Sequence, residues 1–287
     1  MSGFGRRALV SGLVVAAVVL AAPTLATSVT PADLAVEVLA PPPIPVTPGP
    51  APEYAHNMVA AAMNAVPDGM TVGTAVLDLT TGDLETDGVD QFYSASLSKL
   101  MLVVDMLDRN VDLSTSDDQL VARALSVSDD NAMNALWEKF DGPDAMTRVA
   151  DSLNLPDTAT PDDASQWGET EVSPAGFARL YQHILTEMDP DDRDRIVGDL
   201  SAAQPTAADG FHQFFGLLGQ PVADYAKQGW MYYGSKLYLH SAGVVHDNTG
   251  DYVVVLMSVQ PVTAVATAEA KVNTVASAML DVLAGDS

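Results

Sequence analysis

The chain has 287 residues, 48% hydrophobic and 18% charged, enough for one large domain or two small ones with a sizeable core, which excludes the disordered and collagen-like classes. Thirteen Lys and Arg against 38 Asp and Glu give a formal charge of −25, a surface that repels nucleic-acid phosphates and anionic lipid headgroups, so no nucleic-acid partner is expected. With no cysteine, disulfides, thiolate metal sites, thiol nucleophiles and an acylated-Cys anchor are excluded, and any nucleophile must be a hydroxyl, a carboxylate or an amine.

Arg6 and Arg7 precede an uncharged apolar run from Ala8 to Ala22, the n-region and h-region pattern of a secretory signal. The run is short against the roughly 20 residues that span a bilayer. Thr24-Leu25-Ala26 offers small residues for cleavage after Ala26. Two readings stay open, a signal peptide over residues 1–26 or an uncleaved signal anchor, and both carry the folded part out of the cytoplasm. The arginine pair is compatible with twin-arginine export but matches that signal weakly. Prolines crowd the stretch from Pro31 to Pro52, including Pro41-Pro42-Pro43, which predicts an extended linker over residues 27–52. One folded domain is then expected from residue 53 to 287, touching a membrane only through an uncleaved N-terminal segment.

From Ala51 to Val66 the spacing of Tyr54, Met58, Ala61, Ala62 and Ala65 predicts a helix, and the alternation from Thr71 to Leu79, ending in Thr81-Gly82, predicts a strand and turn. Helical spacing or helix-start signals then mark Leu97 to Asp108, Asp118 to Val127, Asp130 to Phe140, Pro143 to Leu153 and Pro174 to Thr186. Beyond Gly219 strands return at Ala226 to Tyr232, Lys236 to Val245 and Tyr252 to Val259, before a last helix from about Thr267 to Leu283. The order helix, two strands, helical block, three strands, helix predicts an α/β (α+β) fold. Its five-stranded, mainly antiparallel sheet would be flanked by the terminal helices, with an all-helical subdomain inserted at about 97–215.

Three short segments carry candidate chemistry. In Ser96-Leu97-Ser98-Lys99, a helix beginning at Ser96 sets the hydroxyl and the amine one turn apart on one face, close enough for Lys99 to take the Ser96 proton. Leu97, Leu100 and Met101 flank Lys99, and desolvation there would lower its pKa. The second segment is Val127-Ser128-Asp129-Asp130-Asn131, where Ser128 also reads as an N-cap and the two acids suit the first turn of a helix. The third is Lys227-Gln228-Gly229-Trp230 on the first of the late strands.

Singly, each has an ordinary structural explanation. As an ordered set, on those elements, they resemble the three motifs of the class A β-lactamase and penicillin-binding-protein superfamily, over a stretch from about Ala51 to the C-terminus. The resemblance implies that Ser96 is the acylated nucleophile and Lys99 its proton acceptor. Ser128 would relay a proton to the leaving nitrogen, and Lys227 would polarise Ser128 and attract a substrate carboxylate. The backbone N–H groups of Ser96 and Trp230 would form the oxyanion hole beside Gly229. Asp130 and Gln228 would contact substrate, a peptidoglycan-like peptide or a β-lactam. Neither cofactor nor metal is implied, and a monomer is expected. The histidines show no ligand spacing, so His240 and His246 read as ordinary sheet and turn residues.

Four departures from the family pattern matter. Asp130 stands where the family has Asn, and its carboxylate would raise the pKa of Lys99. Gln228 replaces a compact hydroxyl. The 32 residues from Ser96 to Ser128 are fewer than in class A enzymes, which trims one wall of the helical subdomain. The segment from Ala164 to Pro174 lacks the Glu-x-x-Leu-Asn of a deacylating loop, and Glu169 and Glu171 read better as solvated surface acids. The expectation is an exported serine acyl-transfer hydrolase with slow or absent β-lactam turnover. The alternative is a non-catalytic envelope-binding protein that keeps the fold.

Overall fold

The computed structural model describes residues 53–284; the predicted signal segment and proline-rich linker lie outside them. The elements run α1 (Tyr54–Asn64), β1 (Thr71–Asp78), β2 (Leu84–Gly88), β3 (Phe92–Tyr93), α2 (Ser98–Asp108), α3 (Thr115–Ser126), α4 (Asp130–Lys139), α5 (Gly142–Ser152), β4 (Glu171–Val172), α6 (Pro174–Thr186), α7 (Pro190–Ser201), β5 (Ala223–Tyr233), β6 (Lys236–Asp247), β7 (Gly250–Pro261) and α8 (Val265–Ala284). The main sheet has the order β2-β1-β7-β6-β5, and every neighbouring pair is antiparallel. The mixed α/β class and the five-stranded antiparallel sheet are therefore as the sequence predicts.

Strand β7 lies at the centre of the sheet and is apolar on both faces. Val253, Val255 and Met257 join a core with α2 and α6, whereas Tyr252, Val254 and Leu256 join a second core with α1 and α8. This two-sided burial explains the continuous apolar run, which a strand with one wet face would break by alternation. On α8 the buried residues Ala268, Val272, Val275, Ala276, Met279 and Leu283 recur at helical spacing and close the α1 side. On the other face α2 is buried along its length from Ser98 to Leu107, so the helix following the candidate nucleophile is a core element wrapped by its neighbours.

Three local differences from the sequence reading have physical causes. Helix α3 starts at Thr115 rather than Asp118, because Ser114 and Asp117 form a reciprocal capping box. Helix α7 is additional. Asp189 caps it by accepting a hydrogen bond from the Asp191 N–H, and Pro190 occupies its first turn, a start signal without a strong apolar stripe behind it. The two-residue strands β3 and β4 pair with each other and are too short to show any period.

Helix α6 is locked to the sheet by one phenol. Tyr181, fully buried, donates its hydroxyl proton to the Ala242 carbonyl at 2.7 Å and accepts from the Lys227 N–H at 3.3 Å. Tyr181→Phe leaves both backbone groups without this partner in an apolar core, and should lower stability by about 1–2 kcal/mol. The midpoint of urea unfolding, with the slope unchanged, measures it.

Candidate active site

The nucleophile turn is a junction between two kinds of helix. Ala95–Leu97 form a 3-10 turn, and the α-helix begins only at Ser98, later than the predicted start at Ser96 or Leu97. The two side chains still meet, since a 3-10 turn stacks residues three apart: Lys99 Nζ lies 2.7 Å from Ser96 Oγ. Ala95 sits at φ +48°, the left-handed region that a non-glycine residue occupies at a cost. The turn is held by the Leu97 N–H donating to the Ser94 carbonyl, the Ser98 hydroxyl donating to the Ala95 carbonyl, and the Ser94 N–H donating to Thr170.

Lys99 is wholly buried, and its Nζ also donates to Asp130 Oδ1 at 2.8 Å. Asp130 is the first residue of α4 and remains 58% exposed at its side chain. The predicted upward pull of this carboxylate is real, but it is the lesser effect. Burial drives the Lys99 pKa down, Asp130 partly restores it, and the outcome lies below the usual lysine value. Asp130 thus acts on Lys99 in the direction the sequence predicts, toward the ammonium, without outweighing burial.

The cap of α4 is Asp129, not Ser128. Its carboxylate accepts from the Asn131 and Ala132 N–H groups and pairs with Arg123. Burial opposes the Asp129 charge, but Arg123 and the two amides prevail and hold its pKa below the usual value. Ser128 is thereby released from capping. It stands at φ +52°, and its hydroxyl accepts from Lys227 Nζ at 2.9 Å. Lys227 is 1% exposed and donates also to the Gln228 carbonyl. Burial and the nearby Lys99 push its pKa well down.

Strand β5 is the sheet edge, and Gly229 lets it approach the nucleophile turn. A Cβ on Gly229 would stand 3.1 Å from the Ser94 carbonyl oxygen and 3.3 Å from Leu97 Cγ. Gln228 departs from its predicted place. It is buried, and its Nε2 donates to the carbonyls of Gln213 and Phe215, so it does not line the cleft. Gln213 Nε2 in turn donates to the Ser126 carbonyl, and this chain of amides buttresses the backbone leading to Ser128. His240 is buried and neutral, its pKa lowered to about 4 by burial. Its Nε2–H donates to the Tyr93 carbonyl, and Nδ1 accepts from the Ser258 N–H. His246 is exposed beside Asp251 near the β6–β7 turn.

A cleft of about 300 Å³ opens on Ser96, with Asp130, Asn134, Trp167, Trp230 and Met231 among its walls. Trp167 was not foreseen. Its ring lies 4.2 Å from Lys99 Nζ, and its Nε1 donates to Asn134 Oδ1. Trp137 Nε1 fastens the same loop through the Ala164 carbonyl. Neither Glu169 nor Glu171 lines the cleft. On the opposite wall, Trp230 stacks on Phe211 at 4.7 Å and donates from Nε1 to Asp209. Asn134 had a sequence signal, four residues after Asp130 on one helix face. Trp167, Asp209 and Gln213 had none, since they arrive from distant loops.

A Ser–Lys pair at the edge of an antiparallel sheet, facing a second Ser–Lys pair carried by the helical block and the edge strand, is a β-lactamase-like arrangement. The chain belongs to the beta-lactamase enzyme family, whose model matches residues 108–283. Ser96 and Lys99 precede that match, so their place in the site rests on the geometry above. A relative in Mycobacterium tuberculosis strain H37Rv, named "Putative lipoprotein LppW", is 35% identical over 215 residues; the match covers 70% of this chain and spans 66% of the relative's length. The relative of the same name in Mycobacterium bovis matches equally. Among solved structures, a class A beta-lactamase from Bacteroides cellulosilyticus superposes with a TM-score of 0.65 at 17% identity, over 80% of this chain and 98% of that one. A beta-lactamase from Sphaerobacter thermophilus gives 0.59 at 18% identity, over 79% and 97%. At these identities the structures establish the fold alone.

The charge of Asp130 favours the Lys99 ammonium, so removing it lowers the Lys99 pKa further and frees the amine at lower pH. Asp130→Asn should shift the rising limb of a pH profile for Ser96 modification to lower pH. On that limb a one-unit shift would appear as about a tenfold faster rate. Rates of phosphonylation by an uncharged fluorophosphonate, followed by mass spectrometry across pH, measure it.

Proposed function

We propose that this chain is an exported serine acyl-transfer enzyme that forms an ester on Ser96 from cell-envelope peptide amides or β-lactam-like amides, with slow or absent β-lactam hydrolysis. The observation that carries the reading is the 2.7 Å approach of a buried, pKa-lowered Lys99 to Ser96. The neutral Lys99 amine takes the Ser96 proton as Oγ attacks the carbonyl carbon. The resulting oxyanion accepts hydrogen bonds from the Ser96 and Trp230 backbone N–H groups. Ser128 gives its proton to the leaving nitrogen as the C–N bond breaks, and the proton that Lys99 took from Ser96 restores it by way of Lys227, leaving Lys99 neutral again. The amine departs and an ester remains on Ser96.

Hydrolysis of that ester needs a group to orient water. The cleft holds the Trp167 indole over Lys99 rather than a loop carboxylate, and the one acid lining it among the described residues, Asp130, is bonded to Lys99. A long-lived acyl-enzyme follows, and an amine acceptor could resolve it in place of water. The mycobacterial relative is named a lipoprotein, which supports an envelope location here. With no cysteine to acylate, any tether of this chain would be its N-terminal segment. No helix among the described residues is long and apolar enough to cross a membrane. A second reading, a binding protein without turnover, is favoured by the same lack of a water-orienting carboxylate.

An uncharged fluorophosphonate should add covalently to the intact protein, with the adduct on Ser96. Lys99→Ala should lose this labelling nearly as fully as Ser96→Ala, by at least about a hundredfold. No adduct after hours at high probe concentration would assign the binding role, and labelling retained in Lys99→Ala would require another base.

A further inference from the structure

The charge of the cleft is unusual for a site meant to hold an anionic ligand. Among the described residues Asp130 is the one charged residue lining it, and no Lys, Arg or His does so. Lys227, the group that the family resemblance assigns to a substrate carboxylate, is buried behind the cleft wall, where its Nζ donates to Ser128 and the Gln228 carbonyl. Gln228 offers nothing to replace it, because its amide is turned to Gln213 and Phe215. The Trp230 wall ends in Asp209, and Trp167 presents a second indole to the cleft. Indole faces and carboxylates attract cations. The chain as a whole carries −25, a field that draws cations toward any opening and repels anions.

We propose that the cleft selects a cationic acyl donor, a peptide amide or ester bearing an ammonium group that pairs with Asp130 while Ser96 attacks its carbonyl carbon. This rests on the acyl-transfer reading above and supplies its substrate class. It also resolves a conflict inside the site. Lys99 acts as a base only when neutral, and in that state Asp130 has lost its counter-ion. A substrate ammonium takes the vacated place, and its repulsion holds Lys99 in the neutral form. The charges bearing on Lys99 are Asp130 and Asp129 at the start of α4 and Asp209 from the opposite wall, all favouring its ammonium; the neighbouring Lys227 on β5 has its own pKa pushed well down by burial and by Lys99. A cation bound at Asp130 offsets the nearest of these. An anionic donor meets Asp130 with no cation on the cleft wall to receive it.

The test uses three aryl esters of one acyl-chain length, ending in an ammonium, an uncharged amide or a carboxylate. Release of the aryl alcohol and the mass of the Ser96 adduct report acylation of the full chain. The ammonium ester should react about tenfold faster than the amide ester, with the carboxylate ester slowest, the spread expected of one partly screened charge contact. The rising limb of its pH profile should lie at lower pH than that of the amide ester. The preference should narrow in Asp130→Asn and, in the unaltered protein, at molar salt. Equal rates, or a fastest carboxylate ester, overturn the inference. If the uncharged fluorophosphonate labels Ser96 while the esters show no charge order, only the charge preference falls. If it labels nothing, the acyl-transfer reading falls and takes this inference with it.

Discussion

A lysine buried to the last atom between a serine and an aspartate is the constraint around which the rest of this molecule is arranged. Removing an ammonium from water is costly, and a protein that does so must either neutralise the group or supply partners. Both happen at Lys99. Helix α2, buried from Ser98 to Leu107, desolvates it and lowers its pKa, while Ser96, Asp130 and the face of Trp167 receive it. Each partner comes from a different part of the fold. The site is therefore only as well defined as the packing of α2 against α4, the 157–170 loop and the sheet.

The backbone takes up strain to keep that geometry. Ala95 and Ser128, one beside each active-site pair, occupy the left-handed region. Such conformations persist where surrounding contacts over-determine them. Around Ser128 those contacts are the Asp129 cap with Arg123, the Lys227 hydrogen bond and the Gln213–Gln228 amide chain. Around Ala95 they are the Ser94 and Ser98 bonds and the close passage of β5 at Gly229. Gln228 shows how one substitution changes the logic of a site. A longer amide reaches backward into the wall and becomes a brace, and its Oε1 is left without a partner among the described residues.

Much of the fold was legible because its signals are local. The alternation of β1, the apolar run of β7, the stripe of α8 and the order of elements each follow from residues near one another in the chain. The Ser–Lys spacing, the Ser-Asp-Asp helix start and the Lys-Gln-Gly strand were visible for the same reason. Helix α7 escaped because its start signal precedes a polar sequence, and β3 and β4 are too short for any period to appear.

What the sequence determined by itself is which side chains exist to do chemistry: a serine and a lysine three apart, a second serine and a second lysine, and a carboxylate where an amide is usual. The tertiary structure alone decided their charge states and directions. Whether Asp130 raises Lys99 more than burial lowers it depends on how completely α2 is enclosed. Whether Gln228 faces substrate or the wall depends on the Gln213 and Phe215 carbonyls that the preceding loop brings to its amide. The indole that covers Lys99 comes from a loop some seventy residues away in the chain. Desolvation and long-range contact are properties of the packed chain, so no local pattern encodes their balance.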